Sequence, residues 1–161
     1  MVLPQGTLAA VASPPTTLHF LRSLKLDLVE TKDVDCVFAS LTLPALEILD
    51  IKTAWLDPVP VALLFKRSQC VLRELHIRCC TTTSPLSGTL KSAPSLEILT
   101  LVGLFKDFTY FRDSLRELKE QPDLLPSLRS ISIGALKSSD DILLCALKAA
   151  RPGLELVKVN D

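Results

Sequence analysis

Glycine is scarce in this 161-residue chain, with only five, at 6, 88, 103, 134 and 153, and none in G-x-G-x-x-G order. A phosphate-cradling glycine loop is therefore excluded. No G-x-S-x-G exists, which removes the strand–turn–helix nucleophile elbow. The only histidines, His19 and His76, are far apart, and no C-x-x-C pair accompanies them, so a zinc site has no spacing to support it. Net charge is missing too: 18 Lys and Arg balance 18 Asp and Glu. Nucleic-acid binders use a basic excess to displace counterions, so no nucleic-acid partner is expected. No apolar run approaches the roughly 18 residues that span a bilayer, so no membrane partner is expected. The stretch from Leu8 to Ala12 is apolar, but Pro14 and Pro15 follow it and no lysine or arginine precedes it, which argues against a signal peptide. The five cysteines are odd in number and too sparse for a disulfide scaffold. They read as reduced thiols, and the expected location is intracellular, cytoplasmic or nuclear.

What is present is leucine at one recurring spacing, Leu-x-x-Leu-x-Leu with conservative replacements. It occurs as Leu21-Leu24-Leu26, Leu46-Leu49-Ile51, Leu72-Leu75-Ile77, Leu96-Leu99-Leu101, Leu128-Ile131-Ile133 and Leu154-Val157-Val159. The first members are 25, 26, 24, 32 and 26 residues apart. Periods of about 20–29 residues with this pattern predict a leucine-rich-repeat solenoid, each unit burying its apolar edge against the next. The expected fold class is α/β, with about six parallel strands on a concave face and helices or turns on the convex face. Residues 18–161 form the repeat domain in this reading, and residues 1–17 are an N-terminal flanking segment.

Numbering each unit from its first leucine, positions 1, 4 and 6 point inward. Positions 3, 5 and 7 point outward, because strand side chains switch face at each step. Pro44, Pro94 and Pro126 each sit two residues before a first leucine, where a missing N–H breaks no ladder bond. Position 2 reads Arg22, Glu47, Arg73, Glu97, Arg129, Glu155, an alternation of sign along the whole stack. Parallel strands in register would give each of these residues opposite charges on both sides, a solvated ladder worth about 0.2–1 kcal/mol per pair.

Four return segments carry a helical pattern. Ser138 to Ala150 has a Ser138/Asp141 capping box and an apolar face of Ile142, Leu143, Ala146, Leu147 and Ala150. Phe108 to Glu120 carries Phe108, Phe111, Leu115 and Leu118 on one side. Asp57-Pro58 opens a third, with Ala62, Leu63 and Phe65 inward, and Asp33 to Leu41 forms a fourth over Val34, Val37, Phe38 and Leu41. Ser84 to Ser92, with Pro85 and Gly88, is one short turn at most.

No residue set here supports catalysis, and the chain reads as a non-enzyme without cofactor or metal. His76 beside Asp50 or Glu74 is a strand histidine rather than a hydrolytic one, since no activated serine faces it. Cys80 falls at position 9, in a column with Val29, Ala54, Leu104 and Leu136, and is expected to pack inward, with Cys79 more exposed. The candidate protein-binding residues lie on the outward positions: Lys25, Ile48, Asp50, Lys52, Glu74, His76, Arg78, Ile98, Thr100 and Val102. Charges flanked by aliphatic residues suit a protein partner.

The run Leu43-Pro44-Ala45-Leu46-Glu47-Ile48-Leu49-Asp50-Ile51, the helix through Leu63 to Cys70, and Leu72-Arg73-Glu74-Leu75-His76-Ile77 together resemble the leucine-rich region of fungal F-box proteins, especially the basidiomycete set. The resemblance covers about residues 18 to 161. It implies a surface that recruits substrates of a ubiquitin ligase, with no catalytic residues to transfer. In that family a helical F-box docks on a Skp-type adaptor. Only Val2-Leu3-Pro4 and Leu8 faintly match its start, so an adaptor partner is expected only if an F-box lies outside this chain. The rival expectation is a self-associating scaffold, because the sixth strand ends two residues before the last residue and an uncovered strand invites pairing.

Overall fold

The computed structural model describes residues 14–28, 31–103, 109–134 and 140–159. Its strands are β1 (Thr16–Thr17), β2 (Ser23–Leu28), β3 (Leu41–Thr42), β4 (Ile48–Leu56), β5 (Glu74–Thr82), β6 (Ile98–Gly103), β7 (Ser130–Gly134) and β8 (Glu155–Val159). The helices among the described residues are α1 (Thr31–Ser40), α2 (Pro58–Ser68), α3 (Ser87–Lys91), α4 (Thr109–Glu120) and α5 (Asp141–Ala150). Strands β2, β4, β5, β6, β7 and β8 make one parallel sheet in chain order, and β1 pairs with β3 beside it. The protein is thus an α/β fold on a six-stranded parallel sheet. Among the described residues no helix is long and apolar enough to cross a membrane.

The alternation of side chains decides the layers. Leu49, Ile51, Leu75, Ile77, Leu99, Leu101, Ile131 and Ile133 are buried on one face and join Phe38, Leu64, Leu90, Leu115 and Leu147 of the helices in a single core. Each strand therefore needs apolar residues only on its helix side, which is why the pattern alternates instead of running continuously. Leu43, Ala93 and Leu125, three places before a first leucine, are also buried and accept a backbone bond from Leu46, Leu96 and Leu128. Arg151 does the same for Leu154. Pro44, Pro94, Pro126 and Pro152 thus occupy the second place of a tight turn, where a fixed φ near −65° is already suitable.

Polar ties join each unit to the next. Leu43 N donates to Ser68 Oγ at 2.9 Å, and Leu86 N to Ser114 Oγ at 3.0 Å. Arg67 caps α1 by donating to the carbonyls of Phe38 and Leu41. Arg112 grips the buried Asp140 carboxylate through two nitrogens, at 2.6 and 3.2 Å. Arg151 spreads over five carbonyls between Leu118 and Leu125. These ties satisfy helix ends and loop carbonyls that an unconnected unit would leave orphaned.

Several expectations are corrected. In α2 the inward residues are Val61, Ala62, Leu64 and Phe65, while Leu63 is 54% exposed. The Asp57 side chain caps Val59 N at 3.0 Å, which starts the helix one residue after Asp57 and sets its rotation. In α5 the buried pair is Leu144 and Leu147; Ile142 is 80% exposed and Ala150 is exposed too. Asp140, not Ser138, is its N-cap residue, and Ser138 lies outside the described residues, as do Phe108, Val29, Leu104 and Leu136. Helix α1 runs over Thr31–Ser40, and Leu41 begins β3 instead of ending the helix. Cys79 is buried at 1% and Cys80 is only half-buried, the reverse of the expectation. The inward series 75, 77, 79 continues because β5 stays regular to position 8. Ala54 and Cys80 are then skipped in the pairing of β4 with β5, so Leu56 and Thr82 turn inward one step late.

The sixth unit holds the largest correction. Val157 and Val159 were expected inward. Instead β8 pairs Ser130 with Glu155, Ile131 with Leu156 and Ile133 with Lys158. Leu154 keeps its buried place and its turn, at 1% exposure, so the slip of one residue falls between Leu154 and Glu155. The Leu154 carbonyl is taken by Lys148 Nζ from α5. Leu156 now faces the core, Lys158 reaches Asp141 at 2.6 Å, and both valines turn to the other face.

Candidate functional site

The face opposite the helices is open, and strand register arranges it in columns. Position 3 runs Ser23, Ile48, Glu74, Ile98, Ser130, Glu155. Position 5 runs Lys25, Asp50, His76, Thr100, Ser132, Val157, and position 7 runs Asp27, Lys52, Arg78, Val102, Gly134, Val159. All ten sequence candidates fall in these columns. Val102 is the one that is not accessible: it is 5% exposed, because it leans across Gly134. A methyl group added to Gly134 would lie 3.0 Å from Val102 Cγ1. The sequence reading missed Val157 and Val159, and no periodic signal could have found them, because their outward aim depends on the slip.

The charges on this face are already paired with one another. Arg78 Nη2 donates to both Asp50 oxygens, at 2.8 and 2.6 Å, and Lys25 approaches Asp50 at 3.9 Å. Lys52 Nζ donates to Asp27 at 3.0 Å. His76 Nδ1 meets Thr100 Oγ1 at 2.9 Å, and Nε2 meets Glu74 Oε2 at 3.2 Å. Both ring nitrogens are thus engaged, neither of them by Asp50, and neither faces a serine or cysteine. Arg78 Nε is buried without a hydrogen-bond partner. Among the described residues no three His, Cys, Asp or Glu side chains converge as metal ligands.

The position-2 residues do form one file, since Glu47, Arg73, Glu97 and Arg129 each donate N–H to the preceding member's carbonyl at 2.8 Å. The ion pairs seen within that file are Arg22–Glu47 at 3.5 Å and Arg73–Glu97 at 3.6 Å. The ladder therefore resolves into pairs. Glu155 N–H also donates to the Arg129 carbonyl, at 2.7 Å, while the slip of β8 pairs Glu155 with Ser130 at position 3.

A cavity of about 520 Å³ opens on this face, lined by Asp50 and Lys52 on β4, His76 and Arg78 on β5, Thr100 and Val102 on β6, and Val159 on β8. Residues four strands apart on a flat sheet would stand about 19 Å from each other. Their sharing one cavity means that side chains from strands on both sides of it reach toward it.

The face changes character across its width. Strands β2, β4 and β5 present charges, while β6, β7 and β8 present Ile98, Thr100, Ser130, Ser132, Val157 and Val159 with Glu155 at the edge. No family model matches the chain, and no solved structure matches it.

Proposed function

We propose that this chain is a non-enzymatic leucine-rich-repeat module that binds protein through the open face of its sheet, in the manner of the substrate-recruiting region of an F-box ubiquitin-ligase receptor. One observation carries the reading. The outward columns of separate repeats converge on a single hollow in which charges are prearranged and aliphatic side chains lie beside them. Prearranged charges cost little ordering on binding, and a desolvated aliphatic patch supplies the energy. A Skp-type adaptor enters only with an F-box that lies outside this chain.

The test is capture from fungal lysate with wild type and with a Lys52→Glu/Arg78→Glu double variant. Partner recovery should fall at least tenfold with the variant. Equal recovery refutes the reading.

End-to-end self-association is the second reading. Its support is a groove of about 1,020 Å³ between α5 and β8, lined by Leu144, Leu156 and Pro152 among others. Lys158 opposes it, because an inward charge blunts a strand edge. Light scattering at high micromolar concentration should show monomer, and Lys158→Leu should raise the apparent mass. A concentration-dependent oligomer of the wild type would favour the second reading.

A further inference from the structure

We propose that the hollow seats an extended segment of a partner protein, with an acidic side chain on Lys52 and Arg78 and aliphatic side chains two and four residues from it, on the same side, over Val102 and Val159. The inference rests on the face being a protein-binding surface and names the chemistry that surface selects.

Three independent features point this way. The first is charge. Lys52 and Arg78 are register partners on adjacent strands, and like charges directly opposite repel. The cavity holds these two cations against one carboxylate, Asp50, with His76 beside them. Each cation already has one carboxylate partner, Arg78 in Asp50 and Lys52 in Asp27, and an anion placed between the two cations relieves their mutual repulsion.

The second feature is unspent hydrogen-bonding capacity. Arg78 uses a single nitrogen, Nη2, for both Asp50 oxygens. Nη1 makes no bond and touches solvent, while Nε is sealed without an acceptor. Lys52 likewise spends one contact, on Asp27, and keeps two donors. A partner carboxylate between Arg78 Nη1 and Lys52 Nζ makes two charge-assisted bonds without breaking either existing pair.

The third feature is distance. Position 7 runs in one line from the cation pair to Val102, Gly134 and Val159. Neighbouring strands are about 4.8 Å apart, so along the sheet Val159 lies about 14 Å from Arg78 and the midpoint of Val102 and Gly134 about 7 Å from it. An extended peptide rises about 3.4 Å per residue, and alternate side chains share a face. Side chains two and four residues beyond the acid therefore arrive at about 7 and 14 Å. Val102, which leans over Gly134, forms the wall under the first, and Val159 meets the second. The slip of β8 is what puts Val159 in this line.

The experiment is selection from a random seven-residue peptide display library on the full chain. Enriched sequences should carry Asp or Glu with Val, Leu or Ile two and four places away. A fluorescein-labelled probe, Ser-Glu-Ser-Val-Ser-Val-Ser, then reports affinity by anisotropy. Glu→Gln in the probe and Arg78→Gln in the protein should each weaken binding about tenfold, and together no further. Val159→Ser should weaken it severalfold, and melting curves check that both variants fold. Enriched peptides that are sensitive to Val159→Ser but lack the acid would overturn the inference and leave the face as a binding surface. Selection of no peptide sensitive to either substitution would overturn it as well, while lysate capture with the Lys52→Glu/Arg78→Glu variant still decides the broader reading.

Discussion

Arg151 should be the most costly single polar residue to remove from the C-terminal half. Its guanidinium donates to the carbonyls of Leu118 at 3.2 Å, Gln121 at 3.0 Å, Pro122 at 2.7 Å and Leu125 at 3.1 Å, and also to that of Leu124. Burial pushes the group below its ordinary value, with Asp123 acting in the opposite direction. The guanidinium nevertheless stays charged throughout the neutral range. A hydrogen bond to a charged group contributes about 1.5–3 kcal/mol net. The bonds to Gln121 and Pro122 are at the exposed end and count for little, while those to Leu118, Leu124 and Leu125 are part-buried. Arg151→Met keeps the aliphatic stem and removes all five; because the three part-buried bonds share one guanidinium and do not add, the loss is roughly 2–4 kcal/mol. At about 2–4 °C per kcal/mol for a chain of this size, Tm should fall by on the order of 10 °C. Arg151→Lys should fall between the two, since one ammonium cannot span five acceptors. Thermal melts followed by circular dichroism, with urea midpoints as a second measure, decide the matter. An Arg151→Met variant melting within about 2 °C of wild type would refute the argument that this fan of bonds fixes the loop before β7.

Gln69 caps α2 in the left-handed region, at φ 48°, where glycine is unstrained. Gln69→Gly should therefore raise stability by about 0.5–1 kcal/mol, and a lower urea midpoint would contradict this. Gly134→Ala puts a methyl 3.0 Å from Val102 Cγ1, and displacement of Val102 into the hollow should cost about 1–3 kcal/mol by melting. Burial, with Cys80 adding to it, pushes the Cys79 thiol from 9.0 up to about 12. Between those pH values the unfolded chain releases this proton and the folded chain keeps it, so stability falls as pH rises through that window. The slope of urea midpoint against pH above 9 should be shallower in Cys79→Ala; an identical slope would sink the assignment. Cys36 and Cys145 are exposed and should react with a thiol reagent in the native state, while Cys79 should react only on unfolding.

Much of the fold was legible because burial in a parallel sheet obeys a period of two. Leu49, Leu75, Leu99 and Ile131 could be assigned inward from spacing alone, and the column Lys25, Asp50, His76, Thr100, Ser132 follows from the same spacing. Helix faces were less legible. Rotation of α2 depends on where Asp57 caps it, and one residue of shift exchanges Leu63 for Leu64. The alternating charges at position 2 announced the register of five strands, since repeated local sequence places like residues in like turns.

The sixth strand marks where sequence stops being sufficient. Its Leu-x-x-Val-x-Val pattern is as good as any other, yet the two valines face the open side. Leu156 competes for the core, Lys158 gains Asp141, and Lys148 holds the Leu154 carbonyl from another element. Each of these contacts depends on the placement of α5, and local spacing carries no information about it. Leucine spacing alone determined that this chain stacks parallel strands under a layer of helices. Which side chains meet in the hollow was settled by packing across repeats, because a one-residue slip reverses every side chain of a strand and only long-range contacts can select between the two registers.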